Sequence, residues 1–187
     1  MRCWQQSKHR VPVFKTPGST YLGPNRPQTE EDKTMTDIGD SIPPVALTRP
    51  DGSSVSAADY AGSAWVLYFY PKDDTSGCTR EAQDFTALAA DFRAAGVRVI
   101  GISKDSPAKH QKFAAKYDLT VELASDEDGT ACEAFGVWSE KKLYGKTYMG
   151  IERATFLFDG EGRLATSWRK VKVPGHAQAV LEAARAL

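Results

Sequence analysis

The 187-residue chain has no surplus of charge: 24 Lys and Arg face 24 Asp and Glu. Nucleic-acid and anionic-membrane binding draw on clustered basic charge, so this balance argues against both. Long apolar runs are missing as well. The longest, Ala64-Trp-Val-Leu-Tyr-Phe-Tyr70, falls far short of the about 20 residues that cross a bilayer. No apolar core and small-residue cleavage site follow the basic start, so no secretory signal is expected. Cysteine is scarce. Cys3, Cys78 and Cys132 are odd in number and widely spaced, which excludes a disulfide framework and suits a reducing, cytoplasmic setting. The three histidines, His9, His110 and His176, are too scattered for a metal site and are expected as exposed or capping side chains. The composition, 41% hydrophobic and 26% charged, is that of a soluble globular protein able to bury a sizeable core.

Residues 1–34 stand apart. They hold four of the ten prolines, show no sustained period of 2 or 3.6, and carry no acid before Glu30. Such a stretch buries too little apolar surface to offset its ordering entropy, so it is expected to be a disordered extension. It lacks the basic amphipathic helix of a transit peptide, and Met35 offers an alternative start that would make it an upstream reading artefact. Without its six basic and three acidic residues the chain has 18 against 21, a net charge of −3.

From residue 35 to 187 the pattern is that of one domain. Ala64–Tyr70 reads as a strand buried on both faces, ended by Pro71. Phe85, Leu88, Ala89 and Phe92 mark one face of a helix over residues 79–95, stopped by Gly96. Val97–Ser103 is a second strand. Ser106-Pro107 opens a helix to about Tyr117. Val121–Ala124 is a short strand and Gly129–Phe135 a short helix or turn. Arg153–Asp159 and Leu164–Lys170 form a hairpin around Gly160-Glu161-Gly162, and Pro174-Gly175-His176 opens a last helix. Right-handed crossovers make the first strands parallel. The expected fold is therefore α/β and thioredoxin-like: a central mixed sheet flanked by helices. Lys141-Lys142 is expected in a solvated loop, and Trp138 is a candidate wall of a substrate mouth.

The segment with chemistry in it is Tyr68-Phe-Tyr-Pro-Lys-Asp-Asp-Thr-Ser-Gly-Cys-Thr-Arg-Glu81, where a buried parallel strand gives way to a helix. Active groups gather at such strand ends. Cys78 falls in the first helical turn, where free N–H groups and the positive dipole end favour a sulfur anion, the nucleophilic form. Thr75 can turn its hydroxyl toward that sulfur, and Pro71 can shield it from water while fixing the turn.

Pro71-x-x-x-Thr75-x-x-Cys78 resembles the peroxidatic motif of the peroxiredoxins, and the surrounding residues are similar to the bacterioferritin comigratory protein, or PrxQ, subfamily. Two later blocks are similar in the same order: Tyr144-Gly-Lys-Thr-Tyr-Met-Gly-Ile-Glu-Arg-Ala-Thr-Phe156 and Lys170-Val-Lys-Val-Pro-Gly-His176. The resemblance implies thiol-dependent reduction of hydrogen peroxide and organic hydroperoxides, an antioxidant role in cell redox homeostasis. Cys78 would become a sulfenic acid. Arg153 would stabilise the thiolate and polarise the peroxide, Thr75 would hydrogen-bond it, and backbone N–H groups near Gly77 and Cys78 would hold its oxygens. Glu81 would orient the arginine, although a first-turn acid also suits a helix N-terminus without any such role. No metal or organic cofactor is implied.

The chain departs from the subfamily at Ser76, commonly proline, and at Gln83, where many relatives place a resolving cysteine. Three routes stay open for the sulfenic acid: an external thiol (thioredoxin, glutaredoxin or a low-molecular-weight thiol such as glutathione), Cys132 after local unfolding, or Cys3 if residues 1–34 are expressed. The external route is favoured, in a monomer or weak homodimer. Two other readings compete. A thioredoxin-like disulfide oxidoreductase lacks its C-x-x-C motif here. A holdase on the same fold would have no need of the full Pro71, Thr75, Cys78 and Arg153 set.

Overall fold

A computed structural model describes residues 37–187 except Ala61 and Tyr144. The extension expected over residues 1–34, its Met35 alternative, and Cys3 and His9 lie outside the described residues. The strand expected from the aromatic run is β3 (Ala64–Phe69), with β4 (Val97–Ser103) beside it in parallel and β5 (Glu122–Ser125) parallel to β4. On the other side β3 pairs antiparallel with β8 (Ala154–Phe158), which turns back into β9 (Leu164–Trp168). Two short strands that sequence periodicity does not show, β1 (Ala46–Thr48) and β2 (Ser54–Ser56), complete the order β2-β1-β5-β4-β3-β8-β9. The mixed sheet is thus the expected one, extended by a hairpin at one edge. β6 (Trp138–Leu143) and β7 (Lys146–Ile151) form a separate two-stranded hairpin.

Alternation along β3 builds two cores. Trp65, Leu67 and Phe69 face one side, where Ala131 and Cys132 of α4 (Thr130–Ala134) and Phe135 just after it cover them. Val66, Tyr68 and Tyr70 face the other, against α1 (Ser76–Ala87), α2 (Ala89–Ala94), α3 (Pro107–Lys116) and α5 (His176–Ala184). Both faces are apolar, which is why β3 reads as a continuous apolar run rather than an alternating one. The helix expected over 79–95 is two helices, broken at Leu88 (φ −96°, ψ 5°). Phe85 and Phe92 are still buried on one face, so the periodicity survives the break. Among the described residues no helix is long and apolar enough to cross a membrane.

Candidate active site

β3 ends at Phe69, and its direction is carried one residue further by the Tyr70 amide, which donates to Ile102 O at 3.0 Å. Pro71 has no N–H to continue the ladder. The chain then turns through Asp74 in the left-handed region (φ 56°) and enters α1 with Thr75 as its N-cap. Ser76, Gly77 and Cys78 are the first three residues of the helix, so their N–H groups have no intrahelical acceptor; the first backbone bond of the turn is Thr79 N to Thr75 O at 2.8 Å.

Cys78 is 2% exposed and belongs to the core cluster of Val66, Tyr68, Tyr70 and Phe85. Its Sγ accepts a hydrogen bond from Arg153 Nη2 at 3.1 Å. A guanidinium only donates, so the sulfur is the acceptor in this contact. Arg153 sits just before β8, the antiparallel neighbour of β3, and this pairing brings it across 75 positions of sequence to the head of α1. A β-carbon on Gly77 would stand 3.4 Å from Arg153 Nη2, and glycine leaves that side of the guanidinium uncovered. The other end of the fork, Nη1, is ion-paired with Glu81 Oε2. Glu81 is 1% exposed; burial pushes its carboxyl up to about 7 against the pull of Arg153. Cys78, Arg153 and Glu81 are therefore brought together as the sequence suggests, with Glu81 on the arginine rather than idle at the helix end.

Thr75 and Pro71 are placed differently from the expectation. The Thr75 hydroxyl donates to Lys72 O at 3.0 Å, bracing the turn instead of pointing its proton at the sulfur. Pro71 is exposed, and the sulfur is shielded by the aromatic cluster beneath it. Gln83, which stands where the resemblance would place a resolving cysteine, is exposed on α1. Cys132 is fully enclosed in the core on the opposite face of the sheet from Cys78. Its amide donates to Asp126 Oδ2 at 2.8 Å, and burial together with the bond to Asp126 pushes its thiol up, away from the reactive form.

Several residues near the site escaped the sequence reading. His176 and His110 are buried, not exposed or capping. His176 Nε2 is hydrogen-bonded to the Thr155 hydroxyl at 2.8 Å, and burial and then Arg153 bring its ring down to about 4. His110 and Phe113 lie at i, i+3 on the buried face of α3, a signal legible in the sequence once the helix is assigned. Lys141 is on β6 rather than in a solvated loop; its ammonium donates to Ile151 O, and burial and then Arg153 lower its proton affinity. Trp138 packs against the core on the Cys132 side, with Lys104 Nζ 5.2 Å from its ring centre, so it is not part of the sulfur's surroundings.

Residues 38–167 match the model of the AhpC/TSA family. The curated "Putative peroxiredoxin bcp" of Coxiella burnetii is 48% identical over 145 residues, covering 78% of this chain and 96% of that protein. The chain is a peroxiredoxin of the AhpC/TSA family. Peroxiredoxin Bcp of Bacillus subtilis is likewise 48% identical, over 78% of this chain and 93% of its own. Among solved structures, Peroxiredoxin Q of Xanthomonas campestris is similar with a TM-score of 0.73 at 47% identity, over 76% of this chain and 90% of that one. A PrxQ cysteine mutant from Xylella fastidiosa gives 0.77 at 39% identity, over 82% and 98%. Thiol-dependent peroxide reduction and the thioredoxin-like fold follow for this peroxiredoxin.

Proposed function

We propose that Cys78 is the peroxidatic nucleophile and that the peroxiredoxin works with this one cysteine, drawing electrons from an external thiol. The observation that carries the reading is the Arg153 Nη2 to Cys78 Sγ contact at 3.1 Å at the mouth of α1. The thiolate attacks the terminal peroxide oxygen; a sulfur–oxygen bond forms, the oxygen–oxygen bond breaks, and the departing alkoxide or hydroxide takes a proton. The sulfur loses two electrons and becomes a sulfenic acid. Negative charge builds on the two peroxide oxygens during this step. Arg153 and the unpaired N–H groups of Ser76, Gly77 and Cys78 offer fixed positive ends for it. Thr75, braced on Lys72 O, keeps its hydroxyl lone pairs for a peroxide proton, and Pro71 sets where the turn begins. Glu81 orients Arg153 as a positioning residue.

An external thiol then forms a sulfur–sulfur bond to Cys78 and releases water; a second thiol restores the thiolate. Gln83 offers no sulfur, and the sheet lies between Cys78 and Cys132. The substrates are hydrogen peroxide and organic hydroperoxides. A 46% identical solved structure, the bacterioferritin comigratory protein of Xanthomonas campestris, is described for its alkyl peroxide reduction activity. The reductant is thioredoxin, glutaredoxin or glutathione, in a reducing cytoplasm, and the protein is a monomer or weak homodimer. The test is steady-state turnover of Cys132→Ser with each reductant. Turnover within about twofold of the wild type is expected. A wild-type product two hydrogens lighter than the reduced protein, absent from Cys132→Ser, would overturn the one-cysteine reading.

A further inference from the structure

The turn that leads into Cys78 is tied to the rest of the molecule through a buried carboxylate five residues upstream. Asp73 Oδ1 accepts from Tyr70 Oη at 2.7 Å, and Oδ2 accepts from His110 Nδ1 at 2.8 Å. The Asp73 amide donates to Asp105 Oδ2 at 2.8 Å, and that carboxylate also accepts from Ser103 Oγ at 3.1 Å. Ser125 Oγ in turn donates to Asp105 O at 2.6 Å. One residue of the turn is thereby fixed, by backbone and side chain, to the ends of β3, β4 and β5 and to α3. The fixing is polar. A cavity of about 310 Å³ lies between residues 72–74 and the α3 residues Lys109, Lys112, Phe113 and Lys116, bridged by the exposed ion pair of Lys116 Nζ with Asp74 Oδ2 at 2.7 Å. His110 is wholly buried, and its Nε2 has no partner among the described residues. An enclosed imidazole with one ring nitrogen unmatched is a costly choice for a core position, where an apolar side chain of similar size would be cheaper. The ring's polar contacts run to Asp73 and, at 3.4 Å, to Tyr70 Oη.

We propose that Asp73 and His110 form a buried clamp on the turn preceding Cys78, and that this clamp sets how the site divides its time between attack on peroxide and attack by thiol. The inference rests on Cys78 being the nucleophile. The two half-reactions make opposite demands. Peroxide attack needs Cys78 Sγ, Arg153 and the first-turn N–H groups held in register, where displacements on the order of 1 Å are costly. Attack by a thiol must come in line with the sulfur–oxygen bond, and a sulfur only 2% exposed gives a bulky thiol no such path until the first turn of α1 shifts. The buried clamp holds the first arrangement, and once it opens the turn is tied to the end of α3 only through the exposed contacts of Asp74 with Lys116 and Tyr117. Asp73 and His110 are positioning residues: they act through the turn, not on the peroxide.

The test compares the wild type with His110→Leu, which keeps bulk and removes the donor, and His110→Asn, whose amide nitrogen can stand where Nδ1 stands. Asp73→Asn serves as a second probe from the other partner. Three quantities are read on each full-length protein: the rate constant for reduced protein with hydrogen peroxide, the rate constant for the sulfenic form with dithiothreitol, and the sulfinic fraction at excess peroxide by intact mass. For His110→Leu the peroxide constant is expected to fall at least about fivefold and the dithiothreitol constant to rise, with less sulfinic product. Asp73→Asn should shift the same way by less, and His110→Asn should return both constants toward the wild type. Constants that stay within twofold, or that fall together with the unfolding midpoint and no rescue by asparagine, overturn the clamp. If wild-type Cys78 gains no oxygen at all, the nucleophile reading fails and takes the clamp with it; oxygen gain with an unchanged partition overturns the clamp alone.

Discussion

Arg153 serves two acceptors with one guanidinium, Nη2 to the Cys78 sulfur and Nη1 to Glu81. A planar fork can hold both at once; an ammonium on a flexible stem cannot. Arg153→Lys, which keeps the charge and loses the fork, should therefore lower kcat/KM for hydrogen peroxide by about 10²-fold, the scale of losing one preorganised donor. Stopped-flow fluorescence of the reduced protein checks it, and a loss under about threefold would show that charge alone is enough. At this scale the sequence was informative where chemistry depends on local order. Cys78 after Gly77 at a strand-to-helix junction is readable from the chain. Arg153 is not: nothing local marks it, only its likeness to a known block and, in space, the β3–β8 register. The burial of His110 and His176 is not legible either, because a lone histidine gives no sign of it until the helix face that carries it is known.

Among the elements, β3 and β4 form the platform under the site, and their contact is unusually close at one point. A β-carbon on Gly101 would lie 2.4 Å from Tyr68 Cζ and 2.5 Å from its Oη. Tyr68 cannot retreat, because it is fully buried and stacks on Phe85 of α1 at 4.6 Å between ring centres. Gly101→Ala should thus destabilise the protein by about 1–3 kcal/mol and, by pushing Tyr68 against the helix that carries Cys78, slow the peroxide step. Urea unfolding together with peroxide kinetics tests this; an unchanged unfolding midpoint would mean the strands can part freely. The strands that the sequence hid are those with little to bury. β1 and β2 are three residues each, and residues 146–149 of β7 are all exposed, so neither shows an apolar period. The break at Leu88 was hidden for another reason. The Thr86 hydroxyl accepts the Thr120 amide at 3.2 Å, a tie from the end of α1 to the segment before β5, while Phe85 and Phe92 keep their common face.

At the scale of the whole molecule, Glu81 and His176 are buried groups near the site whose titrations act on stability in opposite directions. Glu81 ionises at about 7 in the folded chain against a usual 4.5, so the folded state holds its proton longer than the unfolded state. The stability this gives is full below about pH 4.5 and is lost as pH rises to about 7, on the order of 3 kcal/mol. His176 runs the other way: its ring is held down at about 4 from 6.5, so its contribution is full above about pH 6.5 and is lost as pH falls toward 4. The slopes overlap and largely offset. Relative to the wild type, Glu81→Gln should make stability rise more from pH 4.5 to 6.5, and His176→Gln should make it rise less or fall. Parallel profiles for all three proteins would contradict this assignment of the buried charges.

The sheet also separates the two cysteines of the described residues, Cys78 beside Arg153 on one face and Cys132 packed with Phe135 on the other. The claim on which the account turns is that Cys78 alone meets the peroxide. Intact mass after one equivalent of hydrogen peroxide, with a sulfenic-acid trap present, measures it directly on the wild type, Cys78→Ser and Cys132→Ser. One trap on the wild type and on Cys132→Ser, with none on Cys78→Ser, is the predicted result. Trapping that survives Cys78→Ser and disappears with Cys132→Ser would contradict it.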